Sequence, residues 1–295
     1  ILGFVQGACV GFGIPVAETF GAKDKGGLRK YLFNGALLCV VLSVVFTLFT
    51  TLMAGPLLQL IHTPEELYAD AVLYIRIIFL GIPATVLYNY ASSVLRAMGD
   101  SQHPFYFLLA ASVLNIGLDL LCIIVFKMGV FGASFATVFS QAVAGFGSLW
   151  YIARHYHELR WSKEEGKLSR DHCLKLCNMG IPMGLQCSIT AIGSVVLQGA
   201  VNGLGSDIVA AQTAGGKAAQ FLSVPLESIG TAMTTYASQN LGAHDLKRVN
   251  RGVNTALGIG CVYSIASFII LRFADKLLIG CLLYTSPSPR DPKTS

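Results

Sequence analysis

Eight apolar stretches, each about as long as a bilayer is thick, follow one another along the chain with mostly short polar breaks between them. They cover approximately 1–19, 32–61, 68–96, 104–126, 130–153, 173–201, 208–240 and 253–279. Roughly 20 apolar residues make a spanning helix, and lipid offers no partner to a bare peptide group, so such stretches must be helical there. Charge is too scarce for a soluble alternative. Only 13% of the 295 residues are charged, against roughly 25% in a soluble domain. The expected fold class is an all-α integral membrane protein, a polytopic helical bundle, multi-pass in the plasma (inner) membrane, with the lipid bilayer as its first partner.

The positions of the cations set the topology. The breaks after the first, third, fifth and seventh stretches hold 14 of the 21 Lys and Arg residues, among them Lys23, Arg29, Arg96, Arg170, Lys175 and Arg248. The alternate breaks hold Lys127 and, beyond the eighth stretch, Arg272 and Lys276. Cytoplasmic loops carry the positive excess, so the first stretch runs from outside inward. The net charge of +5 is thereby accounted for, and no nucleic-acid partner is expected. One break is long: from Arg154 to His172 the chain is charged and of mixed sign, which suits an amphipathic or flexible cytoplasmic connector.

Both ends read as those of a fragment. Ile1 lies inside an apolar stretch, and after Leu283 the composition turns abruptly to a Ser/Pro-rich tail; residues 281–295 are expected to be non-native or disordered. The eight cysteines stand singly, with no Cys-x-x-Cys pair and no histidine at zinc spacing beside Cys173 and Cys177. They are expected to be packing residues, and no cofactor is expected.

Ionisable groups inside a span are the residues that most need a reason. Glu18 stands next to a cytoplasmic turn and suits an interfacial role. Asp119 does not. Asn115 precedes it by four residues and Ser112 by seven, so the three share one helix face. Thr137 in the next stretch lies as far beyond the intervening hairpin, centred near Met128, as Asp119 lies before it. Equal offsets place both about 13 Å from the outer end at 1.5 Å per residue. Two readings follow. Asn115, Asp119 and Thr137 either form a pocket of hard oxygen donors for Na⁺, or for a proton on the carboxylate, or they are a hydrogen-bond cluster that only joins two helices. Lys217 and Glu227, about 15 Å apart along one helix, either line a cavity or pair with other helices. Gln186 is a further cavity candidate. The glycines at 3, 7 and 11 repeat every four residues and mark close helix packing.

The chain also repeats itself. Phe20-Gly21-Ala22-Lys23-Asp24 and Leu241-Gly242-Ala243-His244-Asp245 stand 221 residues apart, six spans from one another. An even number of spans gives both copies the same orientation, as in parallel-repeat secondary transporters.

These paired Gly-Ala-x-Asp turns resemble those of the multidrug and toxic compound extrusion family. So do Leu95-Arg96-Ala97-Met98-Gly99-Asp100 with Pro104, and Val209-Ala210-Ala211-Gln212 leading to Pro225-Leu226-Glu227-Ser228-Ile229-Gly230. The resemblance implies a bundle of two pseudo-symmetric lobes of six helices each, incomplete here at both ends, with the eight stretches as the second to ninth helices. Residues 1–155 would be the first lobe, 156–172 the connector and 173–280 the start of the second lobe. It further implies that Asn115, Asp119 and Thr137 match a coupling-cation site of one prokaryotic branch, which an Asp on the first helix completes. The stretch matching the seventh helix, Gly180 to Thr190, lacks the acid that other branches carry there. Coupling would then sit in the first lobe.

The function so implied is a monomeric secondary antiporter that takes up Na⁺ or H⁺ and exports small amphipathic or cationic organic compounds. A lipid-linked oligosaccharide flippase of the same superfamily is the alternative, but it needs a cationic cavity, and only Lys217 and Arg76 offer cations within spans. An intramembrane enzyme lacks its motifs: there is no His-Glu-x-x-His and no Gly-x-Ser-x-Gly.

Overall fold

The computed structural model describes residues 1–60, 65–159, 166–203 and 205–284. These form α1 (Leu2–Gly21), α2 (Lys25–Leu60), α3 (Glu65–Leu80), α4 (Ile82–Ala97), α5 (Gln102–Leu120), α6 (Gly129–His155), α7 (Arg170–Asn202), α8 (Ser206–Gly242) and α9 (Leu246–Tyr284). A π-helical turn, Leu121–Val125, extends α5, and a short 3₁₀ turn, His157–Leu159, follows α6. No strand occurs among the described residues. The expected all-helical class is what folds.

The third expected span is two helices. The chain bends by 40° between α3 and α4 at Gly81. Pro83 enters the first turn of α4; it has no N–H to give and its ring crowds the carbonyl four residues back, so the helix cannot run straight through. The Gly81 N–H still bonds the carbonyls of Ile77 and Ile78, both at 3.0 Å. A side chain at Gly81 would strike Val138 of α6, so the break is also a packing point.

Six helices are long and apolar enough to cross a membrane among the described residues, or seven with the bent α3–α4 pair as one span. The stretch 208–240, expected as a span, is not among them. It folds as the 37-residue α8, yet α8 is absent from that set because its small and hydroxyl residues, with Lys217 and Glu227, dilute its apolar content. The hydroxyls of Thr213, Ser223, Ser228, Thr231 and Thr234 each donate to the carbonyl four residues back. They satisfy themselves within the helix rather than holding a neighbour. At the other end α9 continues to Tyr284, so residues 281–284 of the expected tail are helical; residues 285–295 lie outside the described residues.

Three helix ends share one turn. Lys23, Gly99 and His244 each take the left-handed backbone, with φ of 58°, 90° and 58°. The aspartate that follows donates its N–H five residues back: Asp24 to Thr19 (3.0 Å), Asp100 to Leu95 (2.9 Å) and Asp245 to Asn240 (2.9 Å). Its carboxylate then accepts the N–H three residues on, from Gly27 (2.9 Å), His103 (3.2 Å) and Arg248 (3.0 Å). One helix is closed and the next opened by the same four residues.

The chain divides into two compact units, Ile1–Ser188 with Gly242–His244, and Ile189–Leu241 with Asp245–Ser295. The division falls inside α7. In the first unit α4 packs on α1 and α6, and α6 on α5. Val5, Cys9, Phe12, Cys39, Ile82, Val86 and Leu176 form one core cluster there. The expected close packing of Gly3, Gly7 and Gly11 is present: a Cβ on Gly7 would strike the backbone of Met183, and one on Gly11 that of Gly180. In the second unit Gly252 abuts the Tyr236 ring, and the Tyr263 hydroxyl donates to the Leu222 carbonyl at 3.0 Å, tying α9 to α8. Cys9, Cys39 and Cys122 are buried packing residues as expected, whereas Cys187 and Cys261 are exposed.

Candidate functional site

The pair α5–α6 positions the residues picked out around Asp119. Gly132 of α6 lies against Cys122, and Gly147 against Phe107. Both pairs are centred on residue 127, so the antiparallel register sets Thr137 level with Gly117. That is midway between Asn115 and Asp119, about 3 Å along the axis from either. The expected equal depth of Asp119 and Thr137 is thus displaced by two residues. The hairpin is centred one residue earlier than Met128, where Lys127 and Gly129 take positive φ (52° and 55°).

Asn115 and Asp119 are half-buried on one face of α5. Asn115 Nδ2 and Asp119 Oδ1 are shielded from solvent and have no hydrogen-bond partner. An unpaired buried polar atom is costly, and such atoms call for an explanation by function. The π-helical turn Leu121–Val125 begins two residues after Asp119, with Phe126 N–H bonded to Leu121 O at 3.0 Å. Single π turns inside α-helices gather at functional sites. Thr137 Oγ1 donates to Ala133 O at 3.0 Å, which leaves its lone pairs available to a cation. Ser112 is exposed and donates to Leu108 O at 2.9 Å; it does not join this group.

Two further residues escaped the sequence reading. Gln141 Oε1 and Ser140 Oγ, one turn on from Thr137 along α6, are also buried without a hydrogen bond. The signal was present in the spacing of Ser134, Thr137, Gln141 and Ser148, which marks a polar stripe on an otherwise apolar helix. As a donor set, the Asp119 carboxylate with the side-chain oxygens of Asn115, Thr137 and Gln141 suits a hard monovalent cation or a proton. No group of three or more His, Cys, Asp or Glu residues able to hold a metal occurs among the described residues.

Gln186 is exposed on α7 in the first unit; Lys217 and Glu227 are exposed on α8 in the second. Glu18 is not a bare interfacial charge: it pairs with Lys175 at 2.8 Å.

Comparison with known proteins settles the family. The family model MatE matches residues 1–121 and 182–286. The chain belongs to the MatE family. The "Probable multidrug resistance protein YpnP" of Bacillus subtilis is 33% identical over 254 residues, covering 84% of this chain and 56% of that protein. The "Probable multidrug resistance protein YoeA" of the same organism is 27% identical over 278 residues, covering 92% and 60%. A crystal structure of MATE in complex with MaL6 superposes with a TM-score of 0.88 at 21% identity, over 97% of this chain and 64% of that one. A MOP superfamily transporter from Pyrococcus furiosus gives 0.86 at 22% identity, over 97% and 64%. The chain therefore spans about three-fifths of the length of the relatives it matches. As a MatE family member it is a multi-pass plasma-membrane protein of a transporter family and not an enzyme.

Proposed function

We propose that the protein is a cation-coupled antiporter that exports small amphipathic or cationic organic compounds, acting as a monomer by alternating access of its two lobes. The observation that carries this reading is the shielded, unbonded Oδ1 of Asp119, on the same face of a membrane helix as Asn115. A carboxylate kept from hydrogen-bond partners in a low-dielectric setting gains most from a bound cation or proton. The multidrug-resistance names of the relatives support the export of organic compounds.

In this reading Na⁺ or H⁺ enters from outside as a transported substrate and is taken up at Asp119. Asn115, Thr137 and Gln141 supply neutral oxygens. Occupancy removes the cost of the buried charge and shifts the balance between outward-open and inward-open forms, because the ion binds one form better. Export follows when the organic compound leaves to the outside before the cation is taken up.

The test uses the full-length protein in proteoliposomes, with ethidium as the exported probe and imposed Na⁺ or H⁺ gradients as separate arms. Asp119→Asn is expected to abolish gradient-driven ethidium efflux while the protein remains folded by circular dichroism. Full efflux in that variant would remove Asp119 from the coupling role.

A further inference from the structure

We propose that Arg96 of α4, with the hydroxyls of Ser92, Ser148 and Tyr88, forms an anion-binding site at the cytoplasmic end of the α4–α6 seam. Its ligand is a small monovalent anion, either free chloride or the phosphate of an inner-leaflet lipid. The site lies wholly within the first unit and uses none of the residues around Asp119, so it stands independently of the antiport reading.

Two contacts fix the register of α4 on α6. Gly81 lies against Val138, and Gly145 lies against the backbone N of Tyr88. Both pairs are 57 positions apart, so the two helices run parallel. Ser148 is then level with Ala91, about 1.5 Å along the axis from Ser92. Ser148 stands three residues on from Gly145 and Ser92 four on from Tyr88, so both sit on the sides that meet. The Tyr88 hydroxyl donates to the Pro104 carbonyl at 3.1 Å, which ties the start of α5 to the same junction.

Ser92 and Ser148 are buried, 1% and 0% exposed, and neither Oγ has a hydrogen-bond partner. A helical serine ordinarily donates to the carbonyl four residues back, as Ser134 does to Val130 at 3.0 Å. These two do not, and a buried hydroxyl left unpaired is costly.

Arg96 supplies the charge. It is half-buried one turn beyond Ser92. Helical side chains lean towards the N-terminal end, so its guanidinium reaches back along α4, and its charge acts on the Tyr88 phenol two turns away. Among the described residues it forms no ion pair and no side-chain hydrogen bond. The acid nearest in sequence, Asp100, is taken up by His103 and Tyr156. The C-terminal dipole of α4 offsets only about half a charge. A fixed cation beside unpaired hydroxyl donors, with no carboxylate, is complementary to an anion. The exposed part of Arg96 leaves an entrance from the cytoplasmic side.

The experiment uses the full-length protein in nanodiscs, with the thermal midpoint read at constant ionic strength. In neutral phosphatidylcholine, replacing gluconate by chloride is expected to raise the midpoint by about 5 °C at saturation. Arg96→Gln loses that shift, and Arg154→Gln, an exposed cation elsewhere on the cytoplasmic side, keeps it. The double variant Ser92→Ala/Ser148→Ala folds, having no bond to lose there, and needs about tenfold more of the anion. A second arm holds gluconate and adds phosphatidylglycerol to the nanodisc. A shift there that Arg96→Gln abolishes assigns the ligand to headgroup phosphate; a shift with chloride alone assigns it to the free ion. No shift in either arm, a shift that survives Arg96→Gln, or an unchanged anion requirement in the double serine variant overturns the site.

Discussion

Lys23 and His244, 221 positions apart in sequence, share a left-handed backbone with φ of 58° in each. Each is followed by an aspartate whose N–H reaches five residues back and whose carboxylate caps the next helix. The two copies also touch: a side chain on Gly242 would strike the backbone at Glu18 and Ala22, with Gly242–His244 belonging to the first unit. A repeat first seen as five similar letters is therefore a repeat of atomic geometry.

A residue with a Cβ pays for positive φ, roughly 1 kcal/mol. Lys23→Gly and His244→Gly are each expected to raise the thermal midpoint of the detergent-solubilised protein. Asp24→Ala and Asp245→Ala are expected to lower stability by about 1 kcal/mol each through loss of the cap. Equal midpoints for Lys23→Gly and Lys23→Val would refute the backbone account.

Glycine at 7 is required by closeness, not by a turn. Gly7→Leu is expected to cost about 1–3 kcal/mol, as overpacking does, because its Cβ meets the Met183 backbone, which cannot swing away as a side chain can. Gly117→Ala meets nothing within 4 Å and should gain up to about 1 kcal/mol of helix stability. Thermal unfolding of the two variants side by side checks the contrast.

Stability should depend on pH through the cluster of Asp100, His103 and Tyr156. Burial opposes the charge on Asp100, but hydrogen bonds from the His103 ring and backbone and from the Tyr156 hydroxyl outweigh it and hold the carboxyl below its usual value. Its contribution is thus present above the ordinary carboxylate range and lost as pH falls through the depressed value. Burial, with the nearby Asp100 charge and the bond to it, pushes the Tyr156 phenol up to about 12. That contribution is present below the ordinary phenol value and lost as pH rises through about 12. Asp100→Asn is expected to be less stable than wild type at neutral pH, with the gap closing in acid; parallel curves would show the bonds to be inert.

Removing an unbonded buried polar atom should not harm folding. Gln141→Leu is expected to leave the thermal midpoint unchanged or higher, since Oε1 has no partner to lose. The same change should weaken the dependence of efflux on the coupling ion severalfold. A lowered midpoint with unchanged ion dependence would mark Gln141 as structural.

The legible part of the fold was whatever composition and short-range spacing decide. Long apolar runs had to be helices, and the cation pattern sorted their ends. Glycines four apart had to face something close, and Asn115 and Asp119 had to share a face. The division of the third stretch into two helices was not read from its composition, because the break at Gly81 is completed by Val138 filling the space beside it. The register of α5 on α6 differs by two residues from equal offsets about Met128, since the hairpin turns about Lys127 and the π turn at Leu121–Val125 has no signature in sequence. The Gln141 orphan was missed because an amide in a helix gives no sign, by itself, of which way it is buried.

What the sequence determined alone is the class and the family, since a bilayer reads hydrophobicity and length one segment at a time, and the turn motifs are local. Only the tertiary structure decided the partners. Glu18 found Lys175 across 157 positions, and Asn34 found Ser169 across 135. Such contacts depend on helix register and crossing, which are set by packing of many side chains at once and are written at no single position of the chain.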